Sequence, residues 1–523
     1  VLVPTAVSST ELVPARRQRR HLVSNAVRAV ADVGYVLRFR AGTVRHRGLS
    51  VLGGLLLLGV TAAIAIVPAY VEGAGGPDEA FDVLVVLPTA LAGFVVLAIV
   101  SAAASGGGRE LIPRDPASIH PISPTTDHLG ALLLAPLNIA WLIQAWALMG
   151  ATAFAVGSSY VYQAQVVVLL WLVAGTAFAQ VLAWTLEGVR RVPHGIVGVR
   201  MLNVVVFGVA LGLQLTDQMI SVFDSLPTRW FVLGMIADDG GRWLASVGVV
   251  LAGALVLAVL GAVPAHIAAH RVPRDELRVE SGQYASRPSP RSDLAAMVRT
   301  DRGSVWRAVP MRRGVAVLAI GPGVVAVLGN LQWSSMTILP GLVASGGALL
   351  YGVNAWCLDS RGTLWRESLP VLPRTVFDAR ALVLAEFLLV ASLLTVAVAA
   401  IRAGVPSLPE VTALISTLLV VTVQVVGASM RWSFKRPYAV DLRSSRATPA
   451  PPSMMVAYSA RLALSTTVTG LFFSALSQAD DWSLSLLIAV AMLSWSGIRL
   501  IRVRRLWDDP AERARVVTTV AVA

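Results

Sequence analysis

Apolar runs of about 20 residues recur along the whole chain, and this feature constrains the fold more than any other. A bilayer core of about 30 Å is crossed by roughly 20 residues of α-helix. In lipid, only a helix or a closed barrel satisfies its own backbone polar groups. Twelve runs can be counted, at 49–71, 82–104, 129–156, 163–187, 199–215, 242–264, 314–331, 338–357, 379–401, 410–430, 455–477 and 483–501. Composition agrees: 56% of the 523 residues are hydrophobic and only 14% are charged, where a soluble chain carries about a quarter. The expected fold is therefore an all-α polytopic membrane protein with about 12 transmembrane helices.

The intervening loops give an orientation. The first 48 residues hold nine arginines, and 265–313 holds ten. Arginines also mark 105–128, 188–198, 358–375, 431–454 and the segment after 501. The alternate loops near 72–81, 157–162, 332–337 and 478–482 carry none, the exceptions being Arg229, Arg242 and Arg402 in the other alternate loops or at span ends. Arginine and lysine collect in cytoplasmic loops, so both ends are expected in the cytoplasm of a cell-membrane protein. The formal charge of +13 thus reads as topology and contact with the bilayer, with no nucleic-acid partner. The N-terminal stretch lacks the basic-then-apolar layout of a signal peptide. In the same region Leu22, Ala26, Val30, Val33 and Leu37 recur at helical spacing, as in an amphipathic helix lying on the membrane surface.

An internal repeat divides the chain. Pro121, Pro124 and Thr126 form the same P-x-x-P-x-T as Pro370, Pro373 and Thr375, each after the second span of a half. A basic–acidic pair lies upstream of both, Arg109–Glu110 and Arg366–Glu367. Leu87–Pro88 matches Leu339–Pro340, and Arg47–Gly48 matches Arg313–Gly314. These matches predict two parallel six-helix halves. The expected segments are 1–48 before the first span, 49–264 as the first half, 265–313 as a cytoplasmic linker, 314–501 as the second half and 502–523 as a tail.

Catalytic signatures are sparse. No G-x-x-x-x-G-K-[ST] occurs, so ATP and its Mg would have to be bound by another subunit, and no cofactor or metal is expected in this chain. His266 and His270 have zincin spacing, but Ile267 stands where the general-base glutamate belongs. The single cysteine, Cys357, reads as a small buried hydrophobe and allows no intrachain disulfide. Glu386 is an ionisable residue inside a span, where charge is costly and by default functional. With Asn138, Gln144, Gln180 and Gln424 it is a candidate for lining a pathway, the alternative being snorkelling for Glu386 and interhelical hydrogen bonds for the others. The pattern Gly208–Gly212 marks close helix packing only.

The layout resembles the membrane subunits of type-2 ABC exporters. The carriers of the resemblance are the six-span half, the amphipathic segment before its first span and the charged loop after its second. The stretch Asn354, Asp359, Gly362, Leu369, Pro370, Pro373 and Arg374 is similar to that loop in actinobacterial members with two fused halves. The first half departs from it, with Gly106–Gly108 in place of the Asp–Gly element and Thr125 after Pro124. The resemblance implies that these loops dock into separate ATPase subunits, two copies per membrane unit. The candidate coupling residues are Arg109, Glu110, Pro121, Pro124, Asp359, Arg361, Trp365, Arg366, Glu367, Pro370, Pro373 and Arg374. The implied activity is export of an apolar or amphipathic substrate, with no catalytic residue in this chain.

Two other classes stay open at this level. A major-facilitator transporter has the same 6+6 layout, but its loop signature is met only in part, since Ser360 and Thr363 stand where basic residues would. A membrane-embedded lipid-linked transferase would use acids in an outer loop, and 216–241 carries Asp217, Asp224, Asp238 and Asp239. That loop is otherwise expected to be a cap or a re-entrant segment, with Trp230 and Phe231 at headgroup level.

Overall fold

The computed structural model describes residues 28–39, 42, 47–104, 122–216, 218–271, 288, 290–350, 352–360, 362–440, 449–479 and 481–522. All regular structure among them is helical. Residues 28–39 form α1. Next come Arg47–Ile66 (α2), Glu79–Ala104 (α3), Pro124–Leu134 (α4), Ile139–Arg190 (α5), Gly195–Leu215 (α6), Met219–Asp224 (α7), Thr228–Met235 (α8), Gly240–Leu260 (α9) and Ala262–Ala269 (α10). After them come Asp293–Arg307 (α11), Val309–Leu328 (α12), Trp333–Met336 (α13), Leu339–Leu350 (α14), Gly362–Glu367 (α15), Pro373–Ala399 (α16), Leu408–Lys435 (α17), Pro452–Leu476 (α18), Trp482–Asp508 (α19) and Pro510–Ala521 (α20). Eight helical segments among the described residues are long and apolar enough to cross a bilayer, or nine if the bent pair α11–α12 counts as one span. The protein is thus an all-helical polytopic membrane protein.

Local chemistry explains most of the helix starts. Pro124 and Pro373, the second prolines of the repeated motif, each stand in the first turn of a helix, where the missing N–H costs nothing. Ser123, Ser292, Asp239, Asp481 and Asp509 cap their helices through side-chain oxygens. Ser407 and Glu410 close a capping box at the start of α17.

One of the eight segments contains two antiparallel limbs. Inside α5, Gly157 takes φ 64° and ψ −175°, which breaks the helix. Gln165 Nε2 then donates to Met149 O at 2.8 Å and to Ala65 O at 3.0 Å. Sixteen residues of straight helix would separate Gln165 from Met149 by about 24 Å, so the limbs fold back on each other at Gly157. The turn is tight enough that a Cβ on Gly157 would lie 3.0 Å from the Gly75 Cα. This agrees with the separate runs 129–156 and 163–187. The eighth run is shorter than the sequence suggests: α14 ends at Leu350, and Gly352–Leu358 is a 3-10 segment.

Two large cores form, and they share no residue. One gathers Ala65 to Val250, around Leu87, Leu91, Phe94 and Leu172. The other gathers Met297 to Val520, around Trp356, Phe377, Trp507 and Tyr458. Between them, α12 touches α3 and α6, and Arg313 pairs with Glu187 at 3.3 Å with both side chains buried. Before the first span, residues 28–39 are helical, with Ala29 and Val33 buried and Val30 exposed; Leu22 and Ala26 lie outside the described residues. Another helix lies inside the segment expected to be linker. It is α11, which buries Met297, Val298, Asp301 and Val305 on one face and then turns 85° into the next helix.

Candidate functional site

The segment between Leu350 and Pro373 is held from all sides. Asn354 donates through Nδ2 to Tyr438 O at 2.9 Å and to Pro449 O at 3.1 Å. Ser433 Oγ donates to Gly352 O and accepts from Ala355 N. The chain then reverses at Ser360, whose φ is 45°, and Gly362 N bonds back to Asp359 O at 2.7 Å. The six-residue helix α15 follows, and Leu372 adopts an extended conformation before Pro373 restarts the chain as α16.

Beneath α15 lies a cluster of four buried charges from three parts of the chain. Arg380 of α16 is fully buried. It holds Asp301 of α11 in a two-pronged grip, Nε to Oδ2 at 2.9 Å and Nη2 to Oδ1 at 3.0 Å. The same Nη2 donates to Asp359 Oδ2 at 2.6 Å, and Nη1 donates to Ala355 O. Arg366 of α15 donates to Asp301 Oδ1 and lies 3.1 Å from Asp359 Oδ2. Two carboxylates face two guanidiniums, so the buried charge sums to zero. Desolvation makes such a cluster a weak source of net stability, whereas breaking it by removing one member is expensive. Low local dielectric strengthens every bond within it. Its effect is to fix α11, α15 and α16 in one relative position.

Aromatic packing and the last helix complete the hub. The Trp356 and Trp507 rings stack 3.9 Å apart at 6°, and the Arg380 guanidinium lies 5.5 Å from the Trp356 ring centre. Trp507 Nε1 donates to Pro373 O. Arg513 of α20 pairs with Glu367 at 2.6 Å and donates to Trp507 O, while Val516, Val517 and Val520 bury their side chains. Partial burial pushes the Tyr438 phenol up, with Arg436 pulling against it, so the ring is neutral at physiological pH. On the outer side of the hub, Leu364 is 54% exposed, Trp365 64% and Leu372 58%.

The candidate coupling residues therefore separate into two groups. The side chains of Asp359 and Arg366 turn inward into the charge cluster. Trp365, Glu367, Pro370 and Arg374 are exposed. Pro124 and Pro373 stand at helix starts, whereas Arg109, Glu110, Pro121 and Arg361 lie outside the described residues.

The candidate pathway residues are dispersed. Glu386 pairs with Arg302 of α11 at 2.7 Å, next to the Asp301–Arg380 grip. Gln424 accepts from Thr469 at 3.2 Å, an interhelical bond. Asn138 sits at the turn before α5, Gln144 is half-buried and Gln180 is buried. Nothing in the linear pattern marks Arg380, Trp507 or Arg513 as members of the hub. Asp301 does leave a signal, as a carboxylate on the apolar face made by Met297, Val298 and Val305.

The described part of the segment 216–241 is pinned to the α5 hairpin. Tyr160 donates to Asp238 at 2.5 Å, Gln163 donates to Met235 O, and Phe231 packs 5.2 Å from the Trp171 ring. Asp239 caps α9. His266 shares a hydrogen bond with Thr125 at 2.9 Å, and no group of three potential metal ligands exists among the described residues. No family model, curated protein or solved structure matches this chain.

Proposed function

We propose that the protein is the membrane permease of an ABC-type exporter, driven by separate ATPase subunits. The observation that carries this reading is the pairing of an exposed apolar helix surface with a rigid mount. Trp365 and Leu364 project from a short helix whose base is fixed by Asp301, Asp359, Arg366 and Arg380. A flexible loop would absorb a push from a soluble partner by changing its backbone angles. This mount would transmit the push to α11 and α16. Aromatic side chains are also the usual anchors of protein interfaces.

In this reading the chain crosses the cell membrane twelve times as two six-helix halves with both ends in the cytoplasm. The separate cores and the hairpin at Gly157 support that count. The ATPase subunits would bind ATP and Mg, and the substrate would be apolar or amphipathic, in keeping with the few charges at membrane depth.

The test is co-purification of the full chain with P-loop ATPase subunits from the same organism, followed by hydrolysis measurements in nanodiscs. Trp365 is exposed, so Trp365→Ala should leave the thermal unfolding temperature of the permease alone within about 2 °C. It should weaken ATPase association at least about tenfold, since anchor truncation costs ~2 kcal/mol or more. Transport driven by a proton gradient with no ATPase bound would overturn the proposal in favour of a secondary transporter.

A further inference from the structure

Three arginines of the second half converge at one level, with no carboxylate partner among the described residues. They are Arg431 on α17, Arg461 on α18 and Arg499 on α19. Neighbouring contacts fix the level. Gly427 lies against Ser496 and Leu500, with the Ser496 carbonyl 3.7 Å from where its Cβ would stand. Ser429 Oγ is 2.6 Å from the Tyr458 hydroxyl, and the Trp432 and Tyr458 rings are 5.2 Å apart. Residues 427–432, 458–461 and 496–500 therefore share one layer. Within it Arg499, which is partly buried, sits within electrostatic range of the Arg431 and Arg461 guanidiniums. Among the described residues none of the three forms an ion pair, unlike Arg380, Arg366, Arg504 and Arg513 nearby in the same half.

Like charges brought together from three helices cost stability unless something neutralises them. The layer lies about 6 Å inside the end of α17 and about 13 Å inside the start of α18, within reach of a membrane–water boundary. Beyond it the surface turns apolar. From Arg461, Leu464, Val468 and Leu471 follow at helical spacing and are all exposed, and Trp495 and Ile498 are exposed on α19. Both α18 and α19 pack along α17 but touch each other little.

We infer that Arg431, Arg461 and Arg499 bind the phosphodiester of an anionic phospholipid from the surrounding leaflet, with its acyl chains along the exposed apolar side chains of α18 and α19. A phosphate group accepts several charge-assisted hydrogen bonds at once and matches guanidinium geometry. Basic pockets between membrane helices are suited to such headgroups. Such a lipid site is independent of what the protein transports.

The test uses the full chain in nanodiscs of phosphatidylcholine alone or mixed with phosphatidylglycerol, with bound lipid counted by native mass spectrometry. The wild type should retain phosphatidylglycerol in preference to phosphatidylcholine. Each of Arg431→Gln, Arg461→Gln and Arg499→Gln should lower that preference roughly fivefold, and the triple variant on the order of a hundredfold. Arg505→Gln, an exposed arginine outside the layer, should leave it unchanged. In pure phosphatidylcholine the triple variant should unfold at the wild-type temperature or above, because repulsion has been removed. If the triple variant fails to fold, Arg461→Gln carries the test alone, since that side chain is exposed. Equal retention of the two lipids by the wild type, or an unchanged preference in the variants, overturns the inference. Displacement of the lipid by millimolar inorganic phosphate also overturns it, since the site would then read free phosphate and not a lipid.

Discussion

Replacing Arg380 by methionine is the sharpest test of the charge cluster. The substitution keeps an unbranched apolar stem and removes the guanidinium that grips Asp301, Asp359 and the Ala355 carbonyl. Adding up four charge-assisted hydrogen bonds at about 1.5–3 kcal/mol each would overstate the loss, because Arg380 no longer has to be desolvated. Most of the cost comes from the charge left behind: two buried carboxylates against the one remaining guanidinium of Arg366. Breaking a buried pair in this way costs about 3–5 kcal/mol. For a cooperative unit of about 200 residues that is a fall of roughly 6–20 °C in unfolding temperature. Tryptophan fluorescence in nanodiscs can follow it, since Trp356 and Trp507 stack beside the cluster. Adding Asp301→Asn removes one charge of each sign and leaves the Asp359–Arg366 pair, so the double variant should be more stable than Arg380→Met alone. Glu386→Gln, which breaks the half-exposed pair with Arg302, should cost no more than about 1 kcal/mol. Unfolding of Arg380→Met within about 2 °C of the wild type would refute this account of the cluster. Simple addition of the losses from Arg380→Met and Asp301→Asn would refute it as well.

Two further outcomes follow from the geometry. Gly157→Val should disrupt the α5 hairpin, because its φ of 64° excludes a β-branched residue and its Cβ would meet the Gly75 backbone at 3.0 Å; cysteine cross-linking between positions 149 and 165 should then drop sharply from that in a Gly157 background. Cys357 is fully buried in the second core, so a maleimide should label the folded protein negligibly and label it fully after denaturation; fast labelling of the native protein would mean that the hub opens.

The parts of the fold that are legible in the sequence are those governed by local rules. Apolar runs and basic loops depend on the bilayer as solvent, so α2, α3 and α17 can be located within a few residues. The prolines of P-x-x-P-x-T mark helix starts because proline suits a first turn wherever it occurs. The hub is not legible, because its chemistry is assembled from residues 301, 359, 366, 380, 507 and 513. Taken alone, Arg366 and Glu367 read as a charged surface pair. In three dimensions they point opposite ways, Arg366 inward to Asp301 and Glu367 toward Arg513. Glu386 similarly reads as an isolated charge in a span, because the helix that supplies Arg302 carries few apolar residues and has the composition of a linker.

The two copies of the repeated motif do not stand in equivalent surroundings. When Pro124 is aligned with Pro373, the position of Arg380 falls on Ala131, which is buried and carries no charge. Helix α1 has one acid, Asp32, and it is exposed, whereas Asp301 of α11 is fully enclosed. Among the described residues, neither member of the bidentate grip has a counterpart around the first copy. A force applied below Trp365 reaches α11 and α16 through bonds that cost several kcal/mol to break. Among the described residues, no such link joins the corresponding helices of the first half, α1 and α4. If the two loops serve two copies of one partner, they serve them unequally. Substitutions in the second loop should then impair coupling more than matched substitutions in the first. Equal impairment from the two loops in the ATPase assay would show that the cluster around Arg380 is structural support alone.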